Sequence, residues 1–101
     1  LCINTGGEKV YPEEVEAVLK QHAAVADAVV IGAPDERLGQ RDVAIVEPVA
    51  GANPDLESLQ VHCRAHLAGY KVPRATHLVD AVVRTPAGKA DYTWARAVAT
   101  A

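Results

Sequence analysis

The run Arg84-Thr85-Pro86-Ala87-Gly88-Lys89 ends on the side chain of this sequence best placed to do chemistry. Pro86 fixes its own φ and Gly88 tolerates a left-handed backbone, so together they predict a tight turn that projects Lys89 outward. A lysine there is a positive charge on a long flexible stem, suited to meet a phosphate or a carboxylate. Taken alone, the same run also describes a solvated surface turn. Other groupings offer less. A phosphate-binding P-loop needs Gly five residues before Gly88 and Ser or Thr after the lysine, and those positions hold Val83 and Ala90. His62 and His66, with Cys63 adjacent, share one side of a helix. A third ligand and the HExxH glutamate are missing, so no metal site is expected and both read as exposed helix histidines. Ser58, the only serine, has no nucleophile elbow. Glu13 and Glu14 read as helix-dipole partners, not as a glycosidase pair.

A chain of 101 residues is expected to be one domain with a modest core. Half of it is hydrophobic, which excludes a disordered or fibrous polypeptide. With no Phe, no Met and one Trp, the core must be Val, Ile, Leu and Ala. Such side chains pack sheet against helix but leave little room for a private apolar pocket. No apolar run approaches the roughly 20 residues of a membrane span. Leu1 to Gly7 has neither a charged leader nor a long apolar stretch and does not read as a signal peptide. It opens without Met on an apolar residue, which predicts a segment of a longer polypeptide. Cys2 and Cys63 show no CxxC or framework spacing, predicting buried reduced thiols and a cytoplasmic setting. Residues 1–60 carry a net charge of −7 and residues 61–101 carry +4, for a total of −3. The basic C-terminal portion is either ordinary surface charge or a face for anionic ligands such as nucleotide phosphates. Basic residues and aromatics are too sparse for a nucleic-acid surface.

These side chains need elements to hold them. Leu1 to Asn4 and Lys9 to Tyr11 predict a short hairpin around Gly6-Gly7. Pro12 opens a helix with acids in its first turn and an apolar stripe of Val15, Val18, Leu19 and His22. Val25 to Ile31 reads as a buried strand, Ala33 to Gln40 as a polar connection, and Asp42 to Val49 as a second strand. Asn53 or Asp55 caps a helix whose face is Leu56, Leu59, Cys63 and Leu67, ending at Gly69. Tyr70 to Arg74 is an extended linker. Thr76 to Val83 is a third strand, and Asp91 to Ala99 a terminal helix. The expected class is α+β: a small three-stranded main sheet in an α-β-β-α-β core with packed helices, plus a short N-terminal β-hairpin and a C-terminal helix.

Four separated segments together carry a resemblance: Asn4 to Glu16 (NTGGEKVYPEEVE), Pro34 to Gln40 (PDERLGQ), Tyr70 to Arg74 (YKVPR) and Arg84 to Lys89 (RTPAGK). In this order and spacing the chain resembles the C-terminal domain of adenylate-forming, AMP-binding enzymes, and its Gly-Gly-Glu-Lys-Val-Tyr-Pro and Ala-Gly-Lys-Ala-Asp-Tyr forms look most like fatty-acid or related acyl-CoA synthetases. The resemblance implies a two-step reaction in which a carboxylate and ATP (with Mg2+) give an acyl-adenylate, from which the thiol of CoA displaces AMP. It also implies a mobile C-terminal lid, residues 1–101, rotating against a larger N-terminal domain of the same polypeptide that holds most of the ATP and acyl site. Lys89 matches the adenylation lysine of that family. Gly6, Gly7 and Glu8 match the loop lining the CoA pantetheine channel, while Lys71 and Arg74 are candidates for CoA phosphate contacts or ordinary surface charges. The family's hinge lies upstream of Leu1. Residues 1–101 alone are therefore expected to bind no cofactor and to be inactive. Element order by itself leaves open a free-standing ferredoxin-like or ACT-type regulatory module, or a dimerisation domain using an exposed strand edge.

Overall fold

Gly6 and Gly7 take φ of +57° and +84°, a left-handed pair that only glycine adopts cheaply. They turn β1 (Ile3–Thr5) straight back into β2 (Glu8–Val10), as a two-residue hairpin loop requires. The computed structural model describes residues 2–100; Leu1, which the sequence reading put in the first strand, lies outside them. Helix α1 (Pro12–Leu19) begins on Pro12, whose missing N–H falls where a helix has no acceptor to offer. Val15 and Leu19 are buried. The helix stops before His22 because the Gln21 and His22 amides step back to the Val18 and Leu19 carbonyls, closing the last turn tightly.

β3 (Val25–Asp35) and β4 (Gly39–Pro48) form a long antiparallel ribbon, registered from Val25↔Pro48 to Asp35↔Gly39. Most of the segment read as a polar connection is therefore strand, including Ala33 and Pro34. Proline is tolerated there because β3 is an edge strand. Pro34 falls in the same alternation as Ala28 and Val30, whose amides point away from β4 to side-chain acceptors, so its missing N–H costs no ladder bond.

Helix α2 (Leu56–Arg64) is capped by Asp55, whose carboxylate accepts the Ser58 N–H at 2.8 Å. Asp55→Ala is expected to cost about 1 kcal/mol in urea denaturation; an unchanged midpoint would show that the cap is idle. α2 ends earlier than the expected Gly69 because the Ala65 and His66 amides turn to the His62 and Cys63 carbonyls, yet Leu67 still packs on the core. A 3₁₀ turn (Gly69–Lys71) leads to β5 (Ala75–Leu78), parallel to β4 from Val43↔Ala75 to Val46↔Leu78. β5 is shorter than expected. β4 runs out at Pro48, and the Val82 N–H turns to the Glu47 carboxylate at 2.9 Å. Helix α3 (Tyr92–Thr100) is capped by Asp91, which accepts the Trp94 N–H.

The sheet runs β2-β1-β4-β3, with β5 also on β4. The N-terminal hairpin thus extends the three-stranded main sheet, through the single pair Thr5↔Gly39. The α+β architecture is the one expected. Val25, Ala28, Val30, Ala44 and Val46 pack under α1 and α2, while Val29, Ile31, Val43 and Ile45 pack under α3. β3 and β4 are covered on both faces, which is why residues 28–31 and 43–46 read as unbroken apolar runs. Two buried side-chain oxygens among the described residues lack a partner, Thr76 Oγ1 and Asp42 Oδ2. Asp42 is 1% exposed. Burial pushes its carboxyl up to about 7. Cys63 is also buried, and its thiol is pushed up to about 11 by burial and by Asp42. Cys2 is only half-buried, short of the full burial expected. No helix is long and apolar enough to cross a membrane among the described residues.

Candidate functional site

The Lys89 turn is a defined hairpin. Thr85 donates its N–H to the Lys89 carbonyl and Gly88 donates to the Thr85 carbonyl, both at 2.8 Å, and Arg84 bridges Ala90. Pro86 and Ala87 are the central residues of the turn, and Gly88 follows at φ +81°. This is a three-residue loop with its bulge position in the left-handed region, a place that demands glycine. Lys89 stands exposed on it, and its ammonium pairs with no carboxylate among the described residues. The turn supplies both reach and an uncommitted charge.

Both ends of the turn are tied down. Before it, Arg84 clasps Asp27 on β3 in a fork, with Nε donating to Oδ2 at 3.0 Å and Nη2 to Oδ1 at 2.6 Å. After it, the Tyr92 hydroxyl donates to Glu16 Oε2 at 3.0 Å. Glu16 is 7% exposed and also accepts the Val30 N–H at 2.8 Å. Burial raises the Glu16 carboxyl above the ordinary glutamate value, against the pull of those two donors. For Asp27, burial works upward too, but the Arg84 and Ala28 hydrogen bonds outweigh it and hold the carboxyl below its usual value. A cleft of about 330 Å³ lies between the tethers, lined by Glu13, Glu16, Arg84, Lys89, Ala90 and Tyr92.

Gly6, Gly7 and Glu8 are exposed at the other end of the ribbon, where Gly6 donates its N–H to the Leu38 carbonyl at 2.9 Å. Asp27, two residues into β3, and Asp35, at its end, lie about 27 Å apart at the antiparallel rise per residue. The structure therefore does not bring Lys89 and the glycine loop together. A Cβ at Gly6 would meet the Leu38 side chain at 3.3 Å, whereas one at Gly7 would meet nothing within 4 Å. Lys71 is committed elsewhere, paired with Glu14 at 2.8 Å and lying 5.7 Å from the centre of the Tyr70 ring. Arg74 is exposed and forms no ion pair among the described residues. His62 is half-buried rather than exposed: its Nε2 lies 2.7 Å from the Val18 carbonyl, and its ring meets His22 edge-on. Among the described residues no three His, Cys, Asp or Glu converge as metal ligands.

The sequence reading took Glu16 only as a helix-dipole acid, passed over Asp27, and gave Arg84 and Tyr92 no role of their own. Position 16 borders the Val15–Leu19 stripe, and Asp27 interrupts an apolar strand. Both were legible signals of a carboxylate held at the core's edge.

Known proteins match the chain along most of its length. The family described as AMP-binding enzyme C-terminal domain matches residues 14–89. The medium/long-chain-fatty-acid–CoA/3-oxocholest-4-en-26-oate–CoA ligase of Mycolicibacterium smegmatis is 57% identical over 98 residues, 97% of this chain and 18% of that protein. The 3-oxocholest-4-en-26-oate–CoA ligase of Rhodococcus rhodochrous is 57% identical over 96 residues, 95% of this chain and 17% of that protein. The Mycobacterium tuberculosis fatty acyl CoA synthetase superposes with a TM-score of 0.86 at 36% identity, covering 98% of this chain and 20% of that one. The chain thus spans under a fifth of the length of these curated relatives. The matches fall on ligases and set aside the free-standing regulatory or dimerisation module. This chain belongs to the AMP-binding enzyme C-terminal domain family.

Proposed function

We propose that residues 1–101 are one domain, the mobile C-terminal lid of a longer acid–CoA ligase, and that Lys89 is its catalytic side chain. The observation that carries this reading is an exposed ammonium, without a carboxylate partner among the described residues, fixed on a tethered glycine turn. In the first step a carboxylate oxygen attacks the α-phosphorus of ATP and pyrophosphate leaves. Two anions must meet, and negative charge gathers on the equatorial oxygens. A pre-placed ammonium offsets both. In the second step the CoA sulfur attacks the acyl carbonyl and AMP leaves. The glycine loop, on the opposite end of the ribbon, suits that step, its bare backbone allowing close approach to pantetheine. Arg74 remains a candidate for the CoA phosphates, and Lys71 joins it only by giving up Glu14. Mg2+ accompanies ATP as part of the substrate, and among the described residues no ligand cluster is formed to hold it. Free Cys2 and Cys63 suit a reducing, cytoplasmic setting.

Relatives named for medium/long-chain fatty acids and for 3-oxocholest-4-en-26-oate support an acid of one of these two classes as the substrate. Carboxylate-dependent exchange of pyrophosphate into ATP by the full-length enzyme tests this. Exchange with an acid of these two classes is expected, and none with any of them would overturn the reading. The loop has its own test. Gly6→Val puts a branched side chain at φ +57° against Leu38. It is expected to slow thioester formation at least tenfold more than adenylation. Equal slowing of both steps would count against the loop's role.

A further inference from the structure

β3 is an edge strand, and the amides of Ala28 and Val30 face away from β4. An exposed row of this kind is a liability that proteins cover. Here two carboxylates do so: Asp27 Oδ1 accepts the Ala28 N–H and Glu16 Oε2 accepts the Val30 N–H, each at 2.8 Å. The same two carboxylates hold the ends of the lysine turn. Asp27 takes the Arg84 fork, and Glu16 takes the Tyr92 hydroxyl. Arg84 also reaches inside the turn, with Nη1 3.4 Å from the Gly88 carbonyl. The turn is thus fixed to the sheet edge on both sides of Lys89.

We infer that Arg84 and Tyr92 are positioning residues for the reaction, acting through Asp27 and Glu16 to hold the Lys89 turn rigid against the edge of β3. A forked guanidinium–carboxylate pair fixes direction as well as distance, which a lysine at position 84 cannot copy. Small misplacements of a catalytic group are costly in rate, so the tethers matter beyond their contribution to stability. This inference rests on the proposed role of Lys89.

The test uses the full-length ligase. Arg84→Met, Asp27→Asn and Tyr92→Phe are compared with Lys89→Ala by pyrophosphate exchange, by thioester formation from supplied acyl-adenylate, and by amide hydrogen exchange over residues 84–90. Arg84→Met and Asp27→Asn are each expected to lower the adenylation rate about tenfold, leave the thioester step within twofold, and speed amide exchange in the turn at least tenfold. The double variant is expected to be no worse than either single one, because both break the same pair. Tyr92→Phe, which removes one hydroxyl, is expected to act in the same direction, and Arg84→Lys to restore only part of the loss. Unchanged amide exchange in the turn, equal loss in both half-reactions, or additive losses in the double variant would each overturn the inference. If adenylation instead survives Lys89→Ala, the proposed function fails, and the amide exchange separately decides whether the tethers hold the turn.

Discussion

Replacing Lys89 by alanine in the full-length ligase is expected to slow acyl-adenylate formation by a factor on the order of 10²–10³, the usual cost of removing one donor aimed at developing transition-state charge. Three features of the site support a loss of that size. The ammonium sits on a turn whose conformation is set by Pro86 and by Gly88 at φ +81°. It has no carboxylate partner among the described residues to give up before it can act. And a cation placed in advance offsets the mutual repulsion of carboxylate and phosphate without reorganising as they meet. Lys89→Arg keeps the charge but spreads it over a larger planar group, so an intermediate rate is expected. The measurement is the rate of pyrophosphate exchange at saturating ATP and acid. A rate within threefold of the parent would remove Lys89 from the reaction.

The second large effect concerns stability, and its sign depends on pH. Asp42 has an ordinary carboxyl value of 3.8 when the chain is unfolded and about 7 when folded, because burial disfavours the charged form. Between those values the folded state holds a proton that the unfolded state has released. Stability from this group is therefore fully present below pH 4, falls as pH rises, and is lost once pH passes 7. The displacement corresponds to about 4 kcal/mol, and access of water to the group reduces it to about 2–4 kcal/mol. Glu16, also raised by burial, acts in the same direction, whereas Asp27 and Asp35 lie below their usual value and stabilise as pH rises. The decisive quantity is thus a difference. Asp42→Asn, neutral at every pH, is expected to gain on the parent chain steadily from pH 4 to 7 and to hold that gain to pH 8, in urea denaturation. A difference that stays flat across pH 4–8 would show that the carboxyl is not buried as described.

Much of the fold was legible because local rules agreed with one another. Pro12 followed by acids and the Gly6-Gly7 pair each name an element end by a stereochemical need, with the hairpin strands reaching one residue closer to the turn than expected, and of the two caps offered, Asn53 and Asp55, it is Asp55 that takes the helix. The boundaries that moved are those where tertiary pairing overrode local signals. Pro34 looked like a chain break, but an edge strand asks nothing of its N–H, so β3 runs to Asp35. β5 looked long from its apolar run, but the strand it pairs with ends at Pro48. The candidate site divided in the same way. Lys89 and Gly6 belong to contiguous turns and could be named from the chain alone. The tethers could not, since Arg84 and Asp27 are 57 positions apart and Tyr92 and Glu16 are 76 apart. Lys71 looked free for phosphate because its partner Glu14 is distant in sequence, beyond the reach of any spacing rule.

The most direct test that this domain serves one half-reaction through Lys89 is a partition measured on a single preparation. Full-length Lys89→Ala enzyme is given ATP and acid in one assay, and preformed acyl-adenylate with CoA in the other. Adenylation lowered on the order of 10²–10³, with thioester formation within twofold of the parent enzyme, is the expected result. An equal fall in both rates would contradict it.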